Sequence, residues 1–325
     1  MASEIYVVSG FLGAGKTTLI QKLLQEAFSK DKVVLIENDF GEISVDAALL
    51  KSGGIEVKEI NSGCICCSLS GDFVKALKEL LERFQPDKIA IEPSGVGKLS
   101  DIIKACSDPR IQPQAKLKAK ITVVDVKRCI TYFDNFGEFF EDQIRYADTI
   151  LLSRTGDYPD KIDGAYKLIE SLNGQAAIIS KPWDQISAAE ILYPQHAHHQ
   201  HTERCGYGQE CGDRQHGAHG HSGHGHHCGG GHNHAAEEAF DTVTIRTKQV
   251  FSIEDLKARV SNMERSAKGT ILRAKGILRG TNGYINLQYL PGDIRLTKCS
   301  AGGDMLCVIG RDLNRQELVS LFSGE

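Results

Sequence analysis

Six short apolar runs punctuate the first 180 residues of the chain: "IYVVS" (5–9), "VVLIE" (33–37), "KIAIE" (88–92), "ITVVD" (121–125), "TILLS" (149–153) and "AAIIS" (176–180). They are continuous rather than alternating, the pattern of strands covered on both faces. Between them the period changes to that of a helix. Leu19, Ile20, Leu23, Leu24, Ala27 and Phe28 form one apolar stripe; Phe73, Leu77, Leu80, Leu81 and Phe84 form another, stopped by Pro86. Strand alternating with helix predicts an α/β domain, a mainly parallel sheet with helices on both faces.

The pattern lapses between residues 196 and 236. All 12 histidines of the chain fall there, with Cys205, Cys211, Cys228 and many glycines. A segment without apolar periodicity buries no core, so a disordered linker is expected. Periodicity then returns. "FDTVTIRT" (240–247) alternates like a strand, "IEDLKARVSNM" (253–263) suits a helix, and "TILRAKGILRG" (270–280) and "GYINLQYL" (283–290) read as paired strands. "MLCVIGR" (305–311) and "NRQELVSLFSG" (314–324) complete a small α+β unit, for which a split β-α-β arrangement is expected. The division is therefore 1–195, 196–236 and 237–325.

Bulk composition adds exclusions. Of 325 residues, 41% are apolar and 25% charged, and the formal net charge is −4. That charge argues for neither nucleic acid nor membrane as a partner, and no apolar run approaches the ~20 residues of a membrane span. The first strand begins at Ile5, leaving no room for a secretory signal, so a cytoplasmic protein with reduced thiols is expected.

The chemistry starts at "GFLGAGKTT" (10–18), which fits G-x-x-x-x-G-K-[ST] between a strand and an amphipathic helix. Gly10, Gly13, Ala14 and Gly15 let backbone amides curl around phosphate oxygens, and the helix N-terminus at Lys16, Thr17 and Thr18 adds partial positive charge. Lys16 is expected on the β- and γ-phosphates and the Thr17 hydroxyl on Mg²⁺. "EPSG" (92–95) closes a later strand. Glu92 is placed like the acid that holds the Mg²⁺ water shell, and the Gly95 amide like a γ-phosphate contact. Asp125, ending another strand, is a second candidate for the Mg²⁺ shell. No catalytic base or arginine finger is identifiable, so slow intrinsic hydrolysis, stimulated by a client or metal, is expected.

Taken together, "GFLGAGKTT", "ENDFGE" (37–42), "GCICC" (63–67), "EPSG" and "RAKGIL" (273–278) resemble the CobW-like family of P-loop GTPases, relatives of the urease and hydrogenase accessory GTPases. The resemblance implies a GTPase metallochaperone that holds zinc, or a related transition metal, at the C-x-C-C and passes it to a client metalloprotein. It implies the family's small C-terminal domain for the last segment. Asp39 and Pro93–Ser94 depart from the family's usual residues. "SRTGD" (153–157) stands where N-K-x-D would read guanine, with Ser153 for asparagine, Arg154 for lysine and Asp157 one residue late, about 3.3 Å along an extended chain. GTP is what the resemblance implies; the base-reading residues leave ATP open.

Cys64, Cys66 and Cys67 follow the strand-like "IEVKEI" and precede a helix starting near Asp72. Thiolates near a helix N-terminus have lowered pKa, which suits metal binding and also redox exchange through a C-x-x-C pair. Two or three of them can share a tetrahedral ion, with Glu37 or Glu42 as the oxygen ligand. Glu37 and Glu42 fall in the expected switch region, so metal grip would follow nucleotide state. Thiolate with carboxylate or imidazole favours zinc. His196, His198, His199, His201, His219, His221, His224, His226 and His227 would bind several ions weakly, as a store or relay, or form a soluble spacer. Cys106, Cys129, Cys299 and Cys307 read as ordinary thiols. A metal-storage protein with little turnover and a cobalt or nickel insertion factor remain as alternatives. The client and the oligomeric state, a homo-oligomer included, stay open.

Overall fold

The computed structural model describes residues 2–37, 56–59, 71–194 and 239–323. Glu42, Cys64, Cys66, Cys67 and every histidine lie outside the described residues. Seven strands form one parallel sheet in the order β3-β2-β4-β1-β5-β6-β7. They are β1 (Ser3–Gly10), β2 (Val33–Glu37), β3 (Glu56–Glu59), β4 (Lys88–Glu92), β5 (Ala115–Asp125), β6 (Thr149–Ser153) and β7 (Ala177–Ile179). The helices beside them are α1 (Lys16–Glu26), α2 (Gly71–Phe84), α3 (Leu99–Cys106), α4 (Cys129–Arg145), α5 (Ile162–Leu172) and α6 (Ala188–Leu192).

The continuous apolar runs are the reason the sheet is buried on both sides. Ile5 and Val7 point into one core with Phe73, Leu77 and Phe140. Tyr6 and Val8, one residue out of phase, point into the other with Leu19, Ile20 and Leu23 of α1. The run read as "ITVVD" extends six residues upstream, to Ala115. There "AKLKAK" alternates buried and solvent-facing positions, and its first residues pair with Ser3–Ile5 where the sheet loses one cover.

The C-terminal sheet has the order β11-β10-β9-β12-β8, with β8 (Asp241–Arg246), β9 (Thr270–Gly280), β10 (Gly283–Leu290), β11 (Asp293–Cys299) and β12 (Met305–Arg311). Strand β12 runs antiparallel to both β8 and β9 and lies between them. With α7 (Ile253–Ser266) connecting β8 to β9, this is the expected split β-α-β. Ser252 caps α7, its hydroxyl accepting the Asp255 amide at 3.0 Å. Strand β11, "DIRLTKC", carries no apolar run and forms because β10 offers it an edge, residue for residue.

One face of this sheet packs on α7 and α8 (Arg315–Ser323) through Ala274, Leu278, Leu287 and Phe322. The opposite face joins the core of the parallel domain: Leu272, Cys307 and Ile309 cluster with Phe240, Phe11 and helix α4. Phe240 sits 5.1 Å from Phe139 and 5.7 Å from Phe136, ring centre to ring centre, and Arg311 lies over Phe136. Burying Phe, Leu and Ile side chains is worth about 1.5–3 kcal/mol each, so the two units share a core rather than hang on a tether.

Candidate functional site: a phosphate cradle walled by the C-terminal sheet

Parallel strands of an open α/β sheet direct their carboxyl ends to one edge, where ligands bind. Gly10, Glu37, Glu92, Asp125 and Ser153 all end their strands at that edge. Gly10 follows from β1 into the loop and presses on the backbone of Val123, a closeness and a φ of 142° that exclude a side chain. Gly15 caps α1 at a φ of 112° with no side-chain cap. The first amides of the helix therefore face a cavity of about 440 Å³, lined by Gly13 through Thr18. Lys16 is 5% exposed, so its charge is held at the mouth of the cradle instead of in bulk water.

The Thr17 hydroxyl lies 3.1 and 3.2 Å from the two carboxylate oxygens of Glu92. A hydroxyl ligand and a carboxylate this close fit the shell of a Mg²⁺ ion, which keeps several waters and takes few protein ligands. Asp125 is taken up differently. Its buried carboxylate accepts from Arg128 at 3.0 Å and lies 3.4 Å from Arg154. Glu37 is buried and aligned in register with Glu92 on one side and Glu59 on the other.

The loop after β4 is held from beneath. Gln143 of α4 is fully buried and donates its amide to the carbonyls of Gly95 and Gly97 at 3.1 and 2.8 Å. Gly95 in turn lies against the cradle: a Cβ there would sit 2.8 Å from Leu12 Cδ2 and 2.9 Å from the Leu12 amide. Gln143 was invisible in the sequence because nothing local ties residue 143 to residue 95.

At the other end of the cavity are Ser153, Arg154, Asp157 and Trp183. A turn closed by the Asp157 and Tyr158 amides on the Arg154 carbonyl brings Asp157 back to the wall. Arg154 adopts a φ of 60°. Trp183 donates its indole N–H to the Leu152 carbonyl at 2.8 Å and stands over Gly15. Its flat ring offers a stacking surface that the sequence reading did not find.

The remaining wall comes from the C-terminal sheet: Arg273, Gln288, Tyr289, Leu290, Asp293 and Arg295. Leu290 occupies the space a Gly13 side chain would need. Arg128 donates to the Pro291 carbonyl at 3.3 Å, and Arg154 reaches Asp293 at 3.8 Å. Beside Arg273 on β9, Lys275 is buried, and burial pulls its pKa down to about 8 against the fields of Cys307 and Glu37. Arginine and lysine at alternate positions of the otherwise apolar "ILRAKGIL" were the available signal for this wall.

Among the described residues no group of three or more His, Cys, Asp or Glu side chains is placed to hold a metal. No helix among them is long and apolar enough to cross a membrane. Cys106 and Cys129 are buried, and burial pushes both thiols up to about 12, as expected of core cysteines.

Residues 4–180 match the family described as CobW/HypB/UreG, nucleotide-binding domain, and residues 240–324 match the cobalamin synthesis protein CobW C-terminal domain. The chain belongs to the CobW/HypB/UreG family. Among relatives of this CobW-family chain is the zinc chaperone CobW of Sinorhizobium sp, 38% identical over 177 residues, 46% of this chain and 50% of that protein. The zinc chaperone YjiA of Escherichia coli strain K12 is 33% identical over 180 residues, 54% of this chain and 56% of that protein. The chain thus spans about half the length of the curated relatives it matches. Zinc-regulated GTPase metalloprotein activator 1 of Schizosaccharomyces pombe is 28% identical over 159 residues, 46% of this chain and 38% of that protein. The crystal structure of Zn(II)-bound YjiA GTPase from E. coli aligns at a TM-score of 0.46 and 19% identity, covering 100% of this chain and 99% of that one.

Proposed function

We propose that this chain is a GTPase that binds zinc at Cys64, Cys66 and Cys67 with Glu37 or Glu42, and that GTP hydrolysis drives its transfer to a client metalloprotein. The observation that carries the reading is the alignment of Glu37, Glu59 and Glu92 across β2, β3 and β4. It puts a candidate metal ligand beside the carboxylate that faces Thr17. Cys64 follows Glu59 by five residues, a tether of at most about 18 Å. The relatives' names, zinc chaperone and zinc-regulated GTPase metalloprotein activator, point the same way. In this reading Thr17 and Glu92 hold Mg²⁺, Lys16 and the cradle amides bind the phosphates, and the Gly95 amide senses the γ-phosphate. Asp157 and Trp183 receive the base, with guanine preferred. The histidine-rich tract supplies zinc to the cysteines.

The test is a titration of GTP, GDP and ATP with and without Zn²⁺, with hydrolysis followed in parallel. The proposal expects zinc affinity to differ between the GTP and GDP forms. It also expects zinc to change the hydrolysis rate, and both effects to vanish in Cys66→Ser. Equal zinc affinity in the two nucleotide forms would leave a metal store in place of a delivery machine.

A further inference from the structure

Three arginines line the cavity: Arg154, Arg273 and Arg295. Two are already engaged by carboxylates. Arg154 lies between Asp125 and Asp293 at 3.4 and 3.8 Å, and Arg295 reaches Asp293 at 3.2 Å. Arg273 differs. It is half-buried, and no hydrogen bond or ion pair with its guanidinium is found among the described residues.

Its direction is set by the sheet. A register shift opposite Ile309 and Gly310 interrupts the alternation of β9 at Leu272; past it Ala274 and Leu278 face α7 and α8, and Arg273 lines the cavity together with the P-loop residues Gly13–Thr18. Lys275 feels the charge of Lys16, the lysine of the cradle, and same-face neighbours on a strand are about 7 Å apart. Arg273 in turn acts on the Tyr132 phenol, whose hydroxyl donates to the Leu12 carbonyl at 3.3 Å. Leu12 is the cradle residue that touches Gly95. Arg273 thus lines the same cavity as the P-loop residues Gly13–Thr18 and Glu92.

We propose that Arg273 is a catalytic residue of this GTPase, an arginine finger supplied in cis by the C-terminal domain. During hydrolysis a water oxygen bonds to the γ-phosphorus and the bond from that phosphorus to the β–γ bridging oxygen breaks. The electron pair leaves with GDP, and the water's proton ends on the phosphate released. Negative charge grows on the bridging and γ-oxygens in the transition state, and the planar guanidinium meets it without giving up a proton. The arginine also makes turnover sensitive to how the C-terminal sheet is seated, since its strand carries both Arg273 and a wall of the cavity.

The test compares wild type, Arg273→Ala and Arg273→Lys in the full chain. It measures kcat, KM for GTP, GDP affinity, and binding of GDP with aluminium fluoride as a transition-state mimic. Arg273→Ala should lower kcat by at least about 100-fold, given the 10³–10⁵ worth of such arginines. It should abolish aluminium fluoride binding while GDP affinity stays within about threefold. Arg273→Lys, which keeps the charge but not the planar fork, should recover less than a tenth of the loss. A kcat within about threefold of wild type in the alanine variant would overturn the assignment. So would a parallel loss of GTP and GDP affinity with kcat intact, or a lysine variant as fast as wild type. The assignment rests on hydrolysis and not on metal delivery. Loss of zinc coupling with the Arg273 effect intact sinks delivery alone; an unaffected Arg273→Ala rate in a zinc-sensitive chain sinks this inference alone.

Discussion

Replacing Gln143 by leucine tests whether the loop after β4, whose Gly95 amide is proposed to sense the γ-phosphate, is held by helix α4. The side chain is fully buried, and its amide nitrogen serves two buried carbonyls, Gly95 at 3.1 Å and Gly97 at 2.8 Å. Leucine fills most of the volume and donates nothing. Each carbonyl left dry and unpaired costs about 1–3 kcal/mol. The same substitution removes the Gln143 carbonyl oxygen, which is itself buried without a hydrogen bond among the described residues and so returns about 1–3 kcal/mol. The net loss is about 1–3 kcal/mol of stability. The functional loss should be larger, because Gly95 lies against Leu12 and a freed loop no longer presents a fixed amide. Urea unfolding gives the first number; kcat and GDP affinity give the second. The expected pattern is kcat down by about tenfold or more with GDP affinity nearly unchanged. Unchanged stability, or a stability loss with kcat at the wild-type value, would refute the idea that Gln143 seats this loop.

Three other outcomes are expected. Gly13→Ala should weaken nucleotide binding, because a Cβ there meets Leu290 and the φ of 69° costs about 1–2 kcal/mol for any residue with a Cβ; Leu290→Ala should recover the contact part and not the strain, giving a coupling of about 0.5–3 kcal/mol in a double-mutant cycle. Arg128→Ala should destabilise the fold by about 2–4 kcal/mol in thermal or urea unfolding. That is somewhat below the ~3–5 kcal/mol of a broken buried pair, because Arg154 still faces Asp125. Stability should also fall above pH 9. Burial holds Cys106, Cys129 and Tyr132 up to about 12, so their protons stay on in the folded chain and leave the unfolded one first. Their contribution is complete below the unfolded values of 9.0 and 10.0 and is lost as pH rises toward 12. Each titrating group contributes a slope of about 1.4 kcal/mol per pH unit. Urea midpoints across that range, flatter by one such slope in Cys106→Ala, check the assignment.

The apolar runs by themselves determined the parallel domain. Strands β2, β4 and β6 coincide with "VVLIE", "KIAIE" and "TILLS" because a strand buried on both faces has no polar position to blur its ends. The P-loop was equally legible, since its glycines, lysine and threonine act through a single turn at fixed spacing. What the chain could not announce is everything assembled from distant residues. Strand β11 has charged, solvent-facing positions and is held by the edge of β10 and by Ile294 and Leu296, which pack on the C-terminal core. Asp125 looked like a metal ligand from its place at a strand end, yet two arginines, one of them 29 residues away, draw its carboxylate to themselves. The cavity wall of Arg273, Leu290 and Asp293 lies more than 250 residues from the cradle it covers. Local spacing encodes which residues are strands and which loop grips phosphate. Only packing, through a sheet that buries one face on its own helices and the other on the P-loop domain, decides which side chains meet over the phosphates.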